Sequence, residues 1–551
     1  MCVFSFGREG DVLRKTRKVY WYLFLTCCIY VLGGCQKNED SVEVSTMKYD
    51  SNELGTSLAL CELVDETKNT KEIYQGREET NLNCSLYIDG YQLPYDKETS
   101  TYYLSVSMEE SDWDNQTLSV SKGYEYQLVS SLVEDKLESI RANQTYEVLI
   151  YNQSSYDIVH LIVTGMPIMD IKLENGSAKN IGEEDETCLI RVYDPDRECF
   201  YSDGSIHIRG NLTKKFDKKS YKIELEDKTS LLGMRKDDDW ILYGMYSDES
   251  KIRDKVAYDL WNQMQTKEES TDAYGTHIEY VELIVNQEYW GLYGLMEPLD
   301  EKQFDINKKA KDGEKEYIYM TNDYSKADLS DFEKEGNQKQ RGCFELKSKL
   351  DDISLKDWNP LVNYLKIRDS KEEKTFVAGM EQMVNVYNIV NYWIFIQTVT
   401  GVDNVYKNMY YVAKKQGEDY RFYFVPWDLN YTFGQEYVDD RSLLFTHELE
   451  QKNALVEWKE GARYLSLNVN QAQKVLKQTW GLLRENVLSE QSISDQMDQN
   501  MSYLIQSGAF YRDQVRWPDG KHKEDISLMK SDIKSRLQFL DHEFLYCVID
   551  Y

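Results

Sequence analysis

Residues 401–434 read GVDNVYKNMYYVAKKQGEDYRFYFVPWDLNYTFG. Met409–Ala413 and Tyr420–Val425 are rich in aromatic and β-branched residues, and Lys414–Asp419 between them is polar with one glycine. That pattern predicts a two-stranded ribbon. A ribbon returns the chain to its starting point, so Asp403 and Asn408 at its entry and Asp428 at its exit are expected to converge.

Upstream, Met383–Val399 (MVNVYNIVNYWIFIQTV) is apolar nearly all round. It predicts a buried central helix that delivers the chain into Gly401-Val402-Asp403, and Asn385, Asn388 and Asn391 argue against a membrane span. Downstream, acidic loops precede helices that include Ala472–Leu488 and Ser527–His542. Glu301–Asp352 is charge-rich with little periodicity and is expected to be a mobile loop or lid. Earlier still, Tyr280–Val285 and Gly291–Met296 predict a hairpin around Asn286-Gln287-Glu288.

Trp240–Gln263 reads as a strand turning helical at Ser247, with Ile252, Val256 and Leu260 as its apolar stripe. Glu249 and Asp254 are acids able to pair with a strand lysine, and the sequence does not choose between them. Gly204–Leu225 (GSIHIRGNLTKKFDKKSYKIEL) reads as strand, turn, strand, with Lys219, Tyr221, Ile223 and Leu225 on one face. A lysine on an apolar face needs an anionic partner, and a phosphate is one that would justify its cost. Arg209 adds a fork for phosphate or carboxylate.

At 551 residues the chain exceeds one typical core. Its formal net charge of −31 argues against nucleic acid as a partner, because phosphate backbones need clustered Lys and Arg. The 41% hydrophobic content, with 43 Tyr, excludes a wholly disordered chain. At the N-terminus, Arg8, Arg14, Lys15, Arg17 and Lys18 precede the apolar Val19–Leu32, and Leu32-Gly33-Gly34-Cys35 is similar to a bacterial lipobox. The expectation is a signal peptide over 1–34, lipidation at Cys35, a tether over 35–57, and anchoring at the extracytoplasmic face of the cell membrane. Cys61, Cys84, Cys188, Cys199, Cys343 and Cys547 then remain, without a C-x-x-C pair that would suggest zinc. Cys188–Cys199 is the favoured disulfide, and six separate thiols are the alternative.

Residues 58–167 read as a separate all-β, sandwich-like module. Ser85–Ile88, Thr101–Val106, Tyr146–Tyr151 and Val159–Val163 are short strand patterns, and Asp89-Gly90 is a tight-turn pair. It carries no chemical constellation, so it serves as a spacer or a binding module.

Chemistry is concentrated beyond that boundary. An acid, an amide five residues on and a second acid after a hairpin is how protein kinases place a catalytic Asp, a metal-binding Asn and a metal-binding Asp. Arg209-Gly210-Asn211 with Lys218-Lys219-Ser220-Tyr221-Lys222, Trp240-Ile241-Leu242 with Asp248 and Arg253, and Asn286 through Gly291-Leu292-Tyr293 to Glu297 come first. Asp403 to Asn408 and Pro426-Trp427-Asp428 follow. In that order these stretches resemble the spore-coat protein H (CotH) kinase family. Trp517, Arg536 and Leu540-Asp541 are similar to its C-terminal signature, so the resemblance covers about 168–551.

The resemblance implies an α+β, divergent atypical protein-kinase-like fold, with a β N-lobe carrying a helix and a mostly helical C-lobe. It implies transfer of the ATP γ-phosphoryl to Ser or Thr of surface or coat proteins, with Mg2+ or Mn2+. Asp403 becomes the catalytic acid beside the attacking hydroxyl, and Asn408 and Asp428 the metal ligands. Lys219, or else Lys222, becomes the phosphate lysine, with Arg209 beside the nucleotide and Glu297 at the hinge. One departure is Asn430, where the family often has a second acid two residues after Trp-Asp. Loss of catalysis, leaving a kinase-like surface lipoprotein that acts as a binding or assembly scaffold, is the alternative expectation.

Overall fold

The computed structural model describes residues 48–64, 70–174, 178–196, 199–210, 213–265, 274–324, 328–335, 338–434 and 454–547. The signal segment and Cys35 lie outside the described residues. No helix among those described is long and apolar enough to cross a membrane.

The β-rich N-terminal part has two sheets around one core. Leu54–Ala59, Thr117–Ser121, Leu86–Ile88 and Tyr91–Gln92 form the first, with Asp89 and Gly90 at φ 48° and 86° making its tight turn. Tyr95–Asp96, Thr101–Ser105, Ser155–Thr164, Thr145–Tyr151 and Glu125–Leu128 form the second, with the short Glu78–Glu79 pairing parallel to Ser155–Thr164. Leu86, Leu104, Leu118, Val148 and Leu161 fill the space between them.

From Ser155–Thr164 the chain runs directly into a closed barrel. Its strands, in spatial order, are Ile168–Leu173, Glu186–Tyr193, Phe200–Arg209, Ser220–Thr229, Asp237–Tyr243, Glu288–Met296 and Ile278–Val285. A parallel pairing of Ile168–Leu173 with Ile278–Val285 closes it. Alternating residues such as Ile190, Ile206, Ile223, Leu242 and Leu295 point inward. Asn286 and Gln287, at φ 49° and 61°, make the two-residue turn whose twist suits a hairpin.

The sandwich, the barrel and the helix Ala509–Arg516 meet at one buried ion pair. Arg512 Nε and Nη2 each donate to Glu282 at 2.7 Å, and the same guanidinium reaches Thr164 Oγ1 (2.7 Å) and Asn143 Oδ1 (2.6 Å). Tyr103 stacks on Tyr289 beside it, with centroids 5.1 Å apart.

Beyond the barrel, the charge-rich stretch expected to be a loop or lid contains strands. Tyr317–Thr321, Gln340–Arg341 and Phe344–Leu346 join the ribbon in a sheet ordered Gln340–Arg341, Phe344–Leu346, Tyr317–Thr321, Met409–Gln416, Asp419–Pro426. The strands are short and their connectors strongly charged, so a window average hides them. The helix Val386–Val399 is buried on nearly every side. Asn388 on it clamps the ribbon, donating to Phe424 O (3.1 Å) and accepting from Phe424 N–H (2.7 Å).

Two local expectations fail. The helix after Trp240 starts at Arg253 rather than Ser247, because Asp248 accepts from the N–H groups of Ser250 and Arg253 at 2.9 Å and holds a turn ahead of the helix. Cys188 and Cys199 are both thiols: strand register sets Cys188 opposite Gly204, well past Cys199. Burial pushes both thiols up to about 12.

Candidate functional site

The helix Val386–Val399 ends on Thr400 in the left-handed region, and Val402–Asn404 make one further turn. This places Asp403 at the open end of the ribbon with its side chain buried. Asn404 ties the ribbon's two ends together, its Nδ2 donating to Asn408 O (3.3 Å) and Trp427 O (2.7 Å). Asn408 and Asp428 both hold positive φ, 55° and 56°. For non-glycine residues such a backbone costs energy and persists where the surroundings enforce it. Here the Asn408 N–H donates to Thr321 O at 2.8 Å, and the Asp428 N–H to the Tyr258 hydroxyl at 2.9 Å.

The side chains then converge. Asn408 Nδ2 donates to Asp403 Oδ2 at 2.8 Å, and Lys407 Nζ lies 3.6 Å from the same oxygen. Burial raises the Asp428 carboxyl above the usual range, opposed by the charges of Lys407 and Arg209. Asp254, on the helix Arg253–Met264, accepts the Leu429 N–H at 2.9 Å. Burial first, then the charges of Asp428 and Asp248, hold Asp254 well above the carboxylate range.

Arg209 lies over the Trp427 ring, 5.8 Å from its centroid, and within electrostatic reach of Asp428. Among the described residues its guanidinium has no hydrogen-bonding or ion-pair partner. Burial lowers its pKa. Asp403, Asn408, Asp428 and Arg209 are thus gathered at one place.

Lys219, Lys222 and Glu297 are engaged elsewhere. The strand begins at Ser220, so the alternation that faces Tyr221 and Ile223 inward does not extend to Lys219. Its Nζ instead donates to the carbonyls of Lys214 (2.8 Å) and Phe216, closing the preceding turn. The buried lysine is Lys218, paired with Asp513 Oδ1 at 2.6 Å, and burial pushes its pKa down to about 8. Asp513 also accepts the Leu292 N–H at 2.9 Å and has His522 Nε2 2.9 Å away. Lys222 pairs with Asp239 at 2.6 Å. Glu297 accepts the Arg235 N–H at 2.8 Å and meets His277 Nδ1 at 3.0 Å. Neither acid offered for a strand lysine has one: Glu249 lies 3.8 Å from Lys523, and Asp254 holds the Asp428 loop.

Sequence reasoning missed Lys407 and the true place of Asp254. Lys407 sits directly before Asn408, so its position was available; its role depends on the turn that swings it back to Asp403. Asn430, the departure from the family pattern, donates to Ser247 Oγ at 3.0 Å, and its buried Oδ1 has no partner among the described residues.

The donor set suits a hard divalent cation. Asp428 offers a carboxylate, and the Asn408 amide oxygen accepts no hydrogen bond among the described residues because its NH2 is the atom turned to Asp403. Mg2+ and Mn2+ prefer such oxygens and keep several waters. Asp428 and Asn408 would hold the ion, with Asp254 behind them fixing the loop.

Residues 206–540, more than half of the chain, match the family described as CotH kinase protein. The chain is also similar to the inner spore coat protein H of Bacillus subtilis (strain 168), at 24% identity over 292 residues, 53% of this chain and 72% of that protein. Arg209, Asp254, Asp403, Lys407, Asn408 and Asp428 all fall inside the matched span, and the N-terminal sandwich falls outside it.

Proposed function

The chain belongs to the CotH kinase protein family, and from that premise we propose that it is an exported, membrane-anchored atypical protein kinase. It transfers the γ-phosphoryl of ATP to Ser or Thr hydroxyls of a surface or coat protein. The carrying observation is the convergence of Asp403, Asn408 and Asp428 at one end of the ribbon, beside an Arg209 that has no acceptor among the described residues. The chain's mixed helix and sheet content is consistent with an α+β domain of this family.

Phosphoryl transfer asks little covalent chemistry of a protein, so positioning and charge are what the residues supply. A divalent ion held by Asp428 and Asn408 contributes neutralisation of phosphate charge when bound. Asp403 accepts the acceptor hydroxyl's proton as its oxygen bonds to the γ-phosphorus and the bond to the β–γ bridging oxygen breaks. The Asn408 amide and Lys407 ammonium fix the orientation of Asp403, and Arg209 donates to phosphate oxygens. Cys35 carries the lipid that holds the protein at the extracytoplasmic face.

A second reading keeps the same site without catalysis, as a binding or assembly scaffold. It is favoured by Asn430, whose amide is tied to Ser247 where an acid would add charge. Incubation of the protein with γ-labelled ATP, Mg2+ or Mn2+ and a candidate acceptor separates the two. Label transfer lost in Asp403→Asn supports the kinase; nucleotide binding with no transfer under any metal supports the scaffold.

A further inference from the structure

The strand Phe344–Leu346 carries the edge of the five-stranded sheet toward the site. Glu345 stands opposite Met320, and Met320 opposite Tyr410. Past Leu346 the pairing continues, the Lys347 N–H donating to Ile318 O at 2.8 Å. Lys347 is two residues from Glu345 and shares its side of the sheet, the side of Tyr410. On that side Tyr410 meets Trp427 edge-on at 6.0 Å, and Arg209 covers the Trp427 ring. One surface therefore runs from Lys347 through Tyr410 and Trp427 to Arg209 and Asp428.

Its charges do not balance. Glu345 Oε1 is shared between Lys347 at 3.3 Å and Lys339 at 3.6 Å, and among the described residues the Arg209 guanidinium has no acceptor. Lys347 and Arg209 are close enough for their charges to oppose each other. Burial, opposed by Glu345, lowers the Lys347 pKa. Desolvated like charges are costly, and among the described residues Glu345 is the carboxylate that pairs with Lys347, while Asp428 acts on Arg209 only at longer range. A polyanion lying between the two cations would relieve that cost.

We propose that Lys347 is a second anchoring cation for the phosphates of a bound nucleotide, set on the same surface as Arg209, so that the segment between barrel and buried helix forms one side of the nucleotide seat. The proposal rests on the kinase reading above. A nucleotide is favoured over an acidic stretch of the acceptor because Lys347 is partly buried beside Arg209, whereas the acceptor hydroxyl is met at Asp403, which has Lys407 as its own cation.

The test is titration calorimetry on the mature protein and its Lys347→Met and Lys347→Arg variants, with Mg2+–ATP, adenosine and tripolyphosphate. Lys347→Met should weaken ATP and tripolyphosphate by about tenfold or more, the scale of one charged hydrogen bond. Adenosine affinity and the unfolding temperature should not change, and Lys347→Arg should retain binding within a few-fold. Unchanged ATP affinity in Lys347→Met overturns the proposal, and if the acceptor KM rises at the same time, Lys347 belongs to the acceptor instead. Equal weakening of adenosine also overturns it, by pointing to a collapsed pocket. A parent protein that binds neither ATP nor tripolyphosphate overturns the kinase reading along with it. Tripolyphosphate binding that needs Lys347, without ATP binding, keeps the anion seat and removes the nucleotide.

Discussion

Asp403 is buried and Asp428 half-buried at the end of one ribbon, yet replacing each by asparagine should have different consequences. Asp428→Asn removes the charged ligand from a doubly charged ion. Metal-dependent nucleotide affinity should fall at least tenfold, equivalent to about 1.4 kcal/mol. Asp403→Asn should leave that affinity within a few-fold and reduce transfer by about a hundredfold or more, the usual scale for a positioned base. Stability should move the other way for Asp428. Its folded pKa is raised by burial, so the folded protein holds this proton more tightly than the unfolded chain does. Stability therefore falls as pH rises from the ordinary carboxylate value through the raised one, and the penalty is complete above it. An asparagine carries no such penalty, so the Asp428→Asn protein should melt at the same temperature as the parent or higher at pH 7, while losing function. Calorimetric titration with ATP and Mg2+, label transfer and thermal melts on the same preparations give all three quantities. A lower melting temperature together with unchanged nucleotide affinity in Asp428→Asn would refute the placement of a strained, metal-holding carboxylate.

Further outcomes follow from other parts of the chain. Arg512→Met strands the buried Glu282 carboxylate and should cost about 3–5 kcal/mol in urea unfolding, with part recovered in Arg512→Met/Glu282→Gln; no loss would mean the sandwich, barrel and terminal helix are held by other contacts. Burial alone pushes Glu460 up to about 8, so the stability it contributes should decline as pH rises from the usual glutamate value to about 8, and Glu460→Gln should remove that slope between pH 5 and pH 9. Cys35→Ser should release the protein from membranes into the soluble fraction; full retention would favour an uncleaved N-terminal span.

What was legible in the sequence is what short-range pattern determines. The ribbon strands run Met409–Gln416 and Asp419–Pro426, and Met409 stands opposite Pro426. The alternation and the polar turn were enough to find them and to bring their flanking acids together. The buried helix was legible because an all-apolar surface has no other place in a soluble domain. Lys219 shows the limit of the method. Period-two alternation assigns faces only once the first residue of the strand is known, and Ser220, not Lys219, is that residue. Lys218 and Lys219 both precede the strand, and Lys218 is buried by its ion pair rather than by alternation. Its partner, Asp513, lies 295 residues away on a helix packed against the barrel, and no local pattern carries that pairing. The same holds for Asp254, which reads as an ordinary helix acid until the loop after Trp427 folds back and offers it the Leu429 N–H. Lys347 was lost for a third reason, since its strand is too short to stand out among charged connectors. The residues that chain direction alone could gather are those on the ribbon; the residues that set their charge come from the barrel, the helix and the sheet edge, and only the tertiary fold brings them there.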